Sequence, residues 1–535
     1  MSDTSLNEIL DLMRKSREEG VEVIVADQKI TLKTSRQKKI DPDLINRFKL
    51  FKDDILLYFN RESEDISRSG MHVPSIEKDG RLYFEITPTQ LYWINNDLDK
   101  EYKEQDKGHG STILMYKLEG AISGDSFERA VMALVERHES LRANFERVGD
   151  AYRMAIASAD LPAFKPSILN VAIEKDEKQV QSFLQFRDYT FDMAILPLFQ
   201  CRLCRIKELE YILSIKLHHV IFDTMSSQVL LRDLFSLYVE TEEKRPSALP
   251  ALTFQYKEYL AYENQYTKKN AAEHKQYWHR IFQHLHDEIL IPGNARKNAT
   301  AVNSAGKEYF DYGPESTARL VTLSRAHSTS LFEILQMTLK SYLFCTTGKT
   351  RLVIGSYVFG RDYPGAEHQV GCYAKTVLIR TDLEGSDTLE RVIWKVKRAN
   401  EDMRRYRAYT LMEASRAMLP EGKESIGCFW NINMQFNDSG RGGSGTKDVA
   451  SGPSSAGSLS VTVLPDLRAD RMVSIDLELE IRQLGSHLEL CVVYSHGIYD
   501  AKVIQDFFAG YLRFSKYILD HPSAVLQDLR VKQVW

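Results

Sequence analysis

The chain has 535 residues, 43% of them hydrophobic, with 70 basic and 74 acidic side chains and a formal net charge of −4. That is enough apolar material for several cores, and length alone suggests roughly three or four domains. Charges are interspersed without a basic run, which argues against a nucleic-acid partner; no apolar stretch nears the ~20 residues of a membrane span; and the polar start Met1-Ser2-Asp3-Thr4 lacks the features of a signal peptide.

Residues 3–18 carry an apolar stripe of Leu6, Ile9, Leu10 and Met13, which predicts a helix closed by Gly20. Val21-Glu22-Val23-Ile24-Val25 and Lys29-Ile30-Thr31-Leu32-Lys33 then read as two short strands around Ala26-Asp27-Gln28. Asp41-Pro42 opens a second helix with Leu44, Ile45, Phe48, Ile55, Leu56 and Phe59 as its apolar positions. A polar stretch over 61–70 follows as linker. Such a helix–hairpin–helix module leaves a sheet edge open to a strand from another chain, and Lys29 and Lys33 would flank it.

From Leu82 onward strands and helices alternate. Thr87-Pro88-Thr89-Gln90-Leu91-Tyr92-Trp93 starts a helix, Thr112–Leu118 is a strand, and Ser126-Phe127 opens a helix ending in Arg137-His138-Glu139-Ser140-Leu141-Arg142. The apolar run Tyr211–Leu217 leads into His218-His219-Val220-Ile221-Phe222-Asp223-Thr224-Met225-Ser226, and helical spacing resumes behind it. Neighbouring side chains on a strand point to opposite faces, so one histidine packs where the other faces a cavity. A core histidine beside a helix cap and a functional pair are both consistent with this local pattern. Composition turns polar near Pro246–Pro250, a long helix begins at Phe254, and the Gly- and Ser-rich stretch 440–457 reads as a loop. The six cysteines, Cys201, Cys204, Cys345, Cys372, Cys428 and Cys491, lack paired metal-ligand spacing and read as reduced structural thiols in a cytoplasmic protein.

Taken in order, Thr89-Gln90-Leu91-Tyr92-Trp93, Arg137–Arg142, His218–Asp223, Phe254–Tyr259, the segment Ile354–Arg361 with Val370–Thr376, and Asn433–Asn437 resemble six motifs of the condensation domains of nonribosomal peptide synthetases. The resemblance covers roughly 82–535. Departures are Thr224 where the family has Gly after the motif Asp, Lys375 where it has Asn, and Cys372 and Tyr373 at its Phe positions. A turn needing φ > 0 would make Thr224 costly. The N-terminal module resembles the β-hairpin docking domains of some synthetase proteins. The expected domains are therefore docking (1–62), linker (63–81) and two condensation subdomains (82–250 and 251–535). The resemblance implies an α/β fold of two chloramphenicol-acetyltransferase-like subdomains set in a V, with a tunnel between them, behind a small α+β docking domain.

It also implies roles. An amine attacks a peptidyl thioester carried on the 4'-phosphopantetheine arm of an upstream peptidyl carrier protein, with no cofactor bound to this chain. His219, His218 and Asp223 are the expected catalytic set: His219 either accepts a proton or orients the amine, His218 packs or supports the loop, and Asp223 pairs with Arg361, which supports the motif. Asn433, Asn437 and Ser226 are candidate substrate contacts. The hairpin edge Lys29, Ile30, Thr31, Leu32 and Lys33 is expected to take an acidic, partly apolar C-terminal tail of an upstream synthetase. Only a short stretch follows Pro522 and no carrier-like segment is recognised. The expected activity is thus terminal: coupling the peptide to a free amine, with aromatic amines favoured by similarity to the terminal condensation proteins of rhabdopeptide and xenortide synthetases. The alternatives are condensation between two carrier-bound substrates, an epimerase-like domain (Ser227 stands where that subfamily has Trp), and an inactive docking or scaffold protein.

Overall fold

The computed structural model describes residues 12, 16, 21–26, 29–34, 40–50 and 52, and then 73–532 apart from 99–109, 171–176, 187–188, 245–248, 283–288, 290, 293–304, 362–364, 408–429, 439–454, 457–458 and 465–474. These fall into two compact units. One gathers residues 1–74 with 251–262 and 361–369, and the other gathers the remainder.

In the first unit the predicted hairpin is present. Val21–Ala26 and Lys29–Thr34 pair antiparallel, from Val21 opposite Thr34 to Ala26 opposite Lys29. Alternation along the strands sends Val21, Val23, Ile30 and Leu32 to one face, where they pack with Leu12, Leu44, Phe48 and Ile40. Among the described residues these two strands form a sheet of their own. The second helix runs Pro42–Leu50, with proline in its first turn as predicted. Of the helix predicted over 3–18, Leu12 and Ser16 are described and helical, and Ser16 Oγ donates to the Leu12 carbonyl at 2.8 Å. Gly20, the polar stretch 61–70 and the side chains of Lys29 and Lys33 lie outside the described residues.

The second unit begins with a hairpin that starts inside the stretch expected to be linker. Ser75–Lys78 pairs with Arg81–Phe84 across Asp79-Gly80, whose φ values of 53° and 72° are those of a two-residue type I′ turn. The first of these strands is four residues long and exposed throughout, so its composition reads as linker; the Asp-Gly pair was the available signal. With Ala151–Ile156 and Ala143–Val148 the hairpin makes a four-stranded sheet.

Two larger, six-stranded sheets carry the fold. In the first the strand order is Ser455–Ala456, Leu459–Val463, Ser111–Glu119, Glu210–His218, Phe199–Lys207 and Ser167–Asn170. Its central strands bury alternate or successive side chains, and the helices Gly124–Arg137 and Ser226–Glu243 pack as a pair. The former begins where Ser123 Oγ accepts from Ser126 N at 3.3 Å. The strand Leu459–Val463 comes from the far end of the sequence, so this sheet is closed by a segment that lies beyond the boundary expected at 250.

The second large sheet runs Ala305–Asp311, His487–Ser495, Leu477–Leu484, Ile432–Asp438, Arg351–Val358 and Lys375–Asp382. The helices Leu331–Thr347, Leu389–Tyr406 and Ala501–Asp520 bury Leu343, Val392, Phe508 and Phe514 against Ile354, Leu479 and Val492. Leu331–Thr347 is buried on nearly all sides and opens with a reciprocal Ser330–Glu333 capping box. The fold is thus mixed α/β with two helix-covered sheets, as expected. Cys201, Cys204, Cys345 and Cys491 are buried thiols rather than disulfides. Among the described residues no helix is long and apolar enough to cross a membrane, and no cluster of His, Cys, Asp and Glu is suited to a metal ion.

Candidate functional site

The strand Glu210–His218 delivers both histidines. His218 is its last residue, opposite Ser111, and is fully buried. Its Nδ1 accepts from the Val220 amide at 3.1 Å and so starts the single 3-10 turn His219–Ile221. Phe191 meets the His218 ring edge-on, with centroids 5.9 Å apart. The other side of that ring lies on Gly110, where φ is 80° and an added Cβ would fall 2.6 Å from His218 Nε2. No larger residue fits there without moving the ring.

His219 is half-buried. Its backbone N–H donates to the Gly110 carbonyl at 2.6 Å, and its imidazole stacks on Trp93, with centroids 4.8 Å apart and planes 24° apart. Trp93 sits on the helix Pro88–Leu98. One turn earlier on the same helix, buried Gln90 donates from Nε2 to the Val220 carbonyl at 3.2 Å. That helix opens with a reciprocal cap, Gln90 N to Thr87 Oγ1 and Thr87 N to Gln90 Oε1. The motif Thr89–Trp93 therefore braces the histidine turn through one hydrogen bond and one ring stack. Sequence reasoning found the motif but assigned neither residue a role, because partners so distant in sequence leave no local trace.

Asp223 is buried, and its carboxylate accepts hydrogen bonds on both oxygens. Oδ1 takes Ser226 N at 2.8 Å and Ser226 Oγ at 2.7 Å; Oδ2 takes the amides of Tyr373 and Ala374 at 3.1 and 3.2 Å. Ser226 is fully buried, and its Oγ also lies 3.0 Å from the Gly371 carbonyl and accepts from Gly371 N at 3.1 Å. Together Asp223 and Ser226 fasten the histidine loop to the segment 371–374. The next residue continues the chain of restraints, since Lys375 Nζ forms a buried ion pair with Glu263 Oε1 at 2.8 Å. Arg361, for its part, donates from Nη1 to the carbonyls of Ala366 and Gln369, each at 2.6 Å, and so holds the turn between them.

Thr224 is exposed, and among the described residues the non-glycine positions with positive φ are Asp79, Phe186, Lys244 and Ser328. The loop thus accepts an ordinary L-residue at 224. Thr224 contributes its carbonyl, which accepts from Ser227 N at 3.2 Å and Ser227 Oγ at 2.6 Å. Thr224→Gly is accordingly expected to cost no more than about 1 kcal/mol, by backbone entropy, and to leave turnover within about twofold. A gain of tenfold or more in an amide-formation assay would contradict this geometry.

Asn433 is buried with its amide engaged at both ends. Trp430 Nε1 donates to Oδ1 at 2.8 Å, and Nδ2 donates to the Tyr357 hydroxyl at 2.9 Å. Opposite it stands Gly355, where a Cβ would fall 2.0 Å from Asn433 Oδ1. Asn437 pairs by backbone with Arg482 in the same strand system; its side chain lies outside the described residues.

The motif Arg137–Arg142 builds a separate buried cluster. Asp233 Oδ2 accepts from Arg137 Nε at 2.8 Å and lies 2.9 Å from His138 Nε2, while Oδ1 accepts from Arg232 Nε at 2.7 Å. Burial pushes the Asp233 carboxyl upward, but the hydrogen bonds from His138 and Arg232 and the Arg232 charge overcome it and hold the group at about 2. Burial also lowers the His138 pKa, against the pull of Asp233, so the ring is neutral and donates its Nε2–H.

A family model described as "Condensation domain" matches residues 99–533. Among curated proteins, Gramicidin S synthase 2 of Brevibacillus brevis is 23% identical over 493 residues, which is 89% of this chain and 10% of that protein. Tyrocidine synthase 3 of Brevibacillus parabrevis is 22% identical over 414 residues, 77% of this chain and 6% of that protein. The chain therefore spans about a tenth or less of these relatives. Among solved structures, the X-domain from teicoplanin biosynthesis superimposes with a TM-score of 0.70 at 19% identity, covering 86% of this chain and 99% of that one. The first condensation domain of the calcium-dependent antibiotic synthetase, in complex with a substrate analogue, gives 0.61 at 14% identity over 83% and 98%. At these identities the likeness is one of fold.

Proposed function

The chain belongs to the condensation-domain family, whose work is amide-bond formation in nonribosomal peptide synthesis, and on that premise we propose that it couples a carrier-bound peptidyl thioester to a free amine and so releases the peptide. The observation that carries the reading is the pairing of a half-buried His219, held by backbone and ring stack, with a fully buried His218 and an Asp223 fully engaged in anchoring the loop. Only His219 of the three presents a side chain toward solvent.

In the proposed step the amine nitrogen attacks the thioester carbonyl, the C–N bond forms, the C–S bond breaks, and the proton lost by nitrogen ends on the departing thiol. The thioester is already activated, so alignment supplies much of the acceleration, up to roughly 7–11 kcal/mol in favourable systems. An alkylamine near neutral pH is mostly protonated. His219 accepts the proton or orders the amine beside the carbonyl. His218, Asp223 and Ser226 serve loop architecture in this reading, Arg361 shapes the turn 366–369, and Asn433 braces two strands. The thioester arrives on the 4'-phosphopantetheine arm of a carrier protein, in a cytoplasmic setting. The N-terminal hairpin takes an acidic tail of an upstream synthetase along Lys29–Lys33, and Lys29→Glu with Lys33→Glu should abolish that binding.

The deciding experiment mixes the protein with a peptidyl pantetheine thioester and a panel of aliphatic and aromatic amines, and reads amide by mass. Amide with free amines supports the reading. Amide with carrier-bound aminoacyl acceptors alone would make this an internal condensation domain. Racemised peptide thioester without amide would make it epimerase-like, and no conversion with any acceptor would favour a scaffold.

A further inference from the structure

We propose that Trp93 is a positioning residue for the chemistry of His219, acting on both the plane and the charge of the imidazole. The inference rests on the condensation reading for its kinetic arm and on the ring geometry alone for its spectroscopic arm.

The stack is built rather than incidental. Rings 4.8 Å apart and 24° from parallel put the indole over a face of the imidazole and not against the ring edge that carries its nitrogens. The indole cannot drift, because its helix is fixed to the same 3-10 turn by the Gln90 hydrogen bond to Val220. The imidazole cannot retreat either, because its own backbone N–H is bound to Gly110 and its predecessor is locked in the core. Tyr92 packs edge-on against Trp93 at 5.2 Å, and Phe222 lies 6.5 Å from His219 on its own loop. The described rings beside His219, Trp93 and Phe222, are apolar, and the titratable groups in its immediate stretch are His218 and Asp223, with Tyr92 and Asp97 on the bracing helix.

An indole face carries a negative quadrupole and attracts a cation placed over it. When His219 takes a proton, the imidazolium that forms lies on such a face, so the stack stabilises the charged state that the proton transfer creates. It also fixes the ring plane before the amine arrives, which is worth rate rather than substrate affinity.

The test uses the full-length protein and the variants Trp93→Phe, Trp93→Leu and His219→Ala. Trp93→Leu is expected to lower kcat roughly tenfold, with KM for the amine within about twofold; Trp93→Phe keeps an aromatic face and is expected to recover most of the rate. Independently of turnover, a stacked imidazolium should quench its indole. Emission of the wild type is expected to fall as pH drops through the imidazole range, and that step should vanish in both Trp93→Phe and His219→Ala. Full kcat in a folded Trp93→Leu protein, or a pH step that survives in Trp93→Phe, would overturn the proposal. If no amine panel yields amide, the condensation reading fails on its own, and the emission step still decides whether the stack couples to the charge of His219.

Discussion

His219→Ala is expected to reduce amide formation at least about 10²-fold, the low end for loss of acid–base assistance. The geometry says why the loss should appear in rate and not in folding. The ring is half-buried, and neither the Val220 hydrogen bonds nor the His218 packing involves the His219 side chain. Thermal melting of the variant should stay within a few degrees of the parent, and kcat with a saturating small amine should carry the defect. A variant with unchanged kcat would remove His219 from proton transfer and leave alignment as the source of acceleration.

Asp233→Ala is expected to have the largest effect on stability, a loss of about 3–5 kcal/mol in chemical denaturation, with kcat of the remaining folded protein nearly unchanged. The carboxylate is fully buried and serves Arg137, His138 and Arg232 at once, so truncation takes the counter-charge from two guanidinium groups in a poorly solvated place. The same carboxylate sets an acid limit. Its folded pKa of about 2 is depressed relative to an unfolded value near 3.8. Its contribution is therefore fully present above about pH 4 and is lost as pH falls toward 2, and by linkage it amounts to about 2 kcal/mol. Denaturation midpoints between pH 2 and 5 should show this slope in the parent protein and lose it in Asp233→Asn. An equal slope in that variant would place the acid sensitivity elsewhere.

The first prediction concerns a residue inside a recognisable motif and the second an acid outside one that serves Arg137 and His138, so they were legible in different degrees. The placement of both histidines at a strand end was readable from the local sequence, but the split between them is made by the turn: the strand buries every residue from Leu213 to His218, and His219 is the first residue beyond it. The N-terminal hairpin and the helix from Pro42 were likewise readable, because turn and cap chemistry is local. What holds the histidine loop was not. Asp223 is met by amides at 373 and 374, and Val220 by a side chain at 90; such pairs depend on how strands order in a sheet, which a single sequence does not encode at any one place. Thr224 looked costly only while the φ of the turn was unknown. The strand Ser75–Lys78 was missed for a different reason. It is an exposed edge strand of polar composition, and composition outweighed the Asp-Gly pair beside it.

The strand Leu459–Val463 also bears on how the protein is made. It covers the edge of Ser111–Glu119, the immediate neighbour of the strand that ends in His218. During synthesis the earlier strands leave the ribosome first, so that edge waits, unpaired and hydrogen-bonding-competent, until the late segment emerges. An open edge of this kind is a site for mispairing with other chains. A gene split at the Pro246–Pro250 stretch would create the same hazard permanently, and its two products should be soluble only when expressed together.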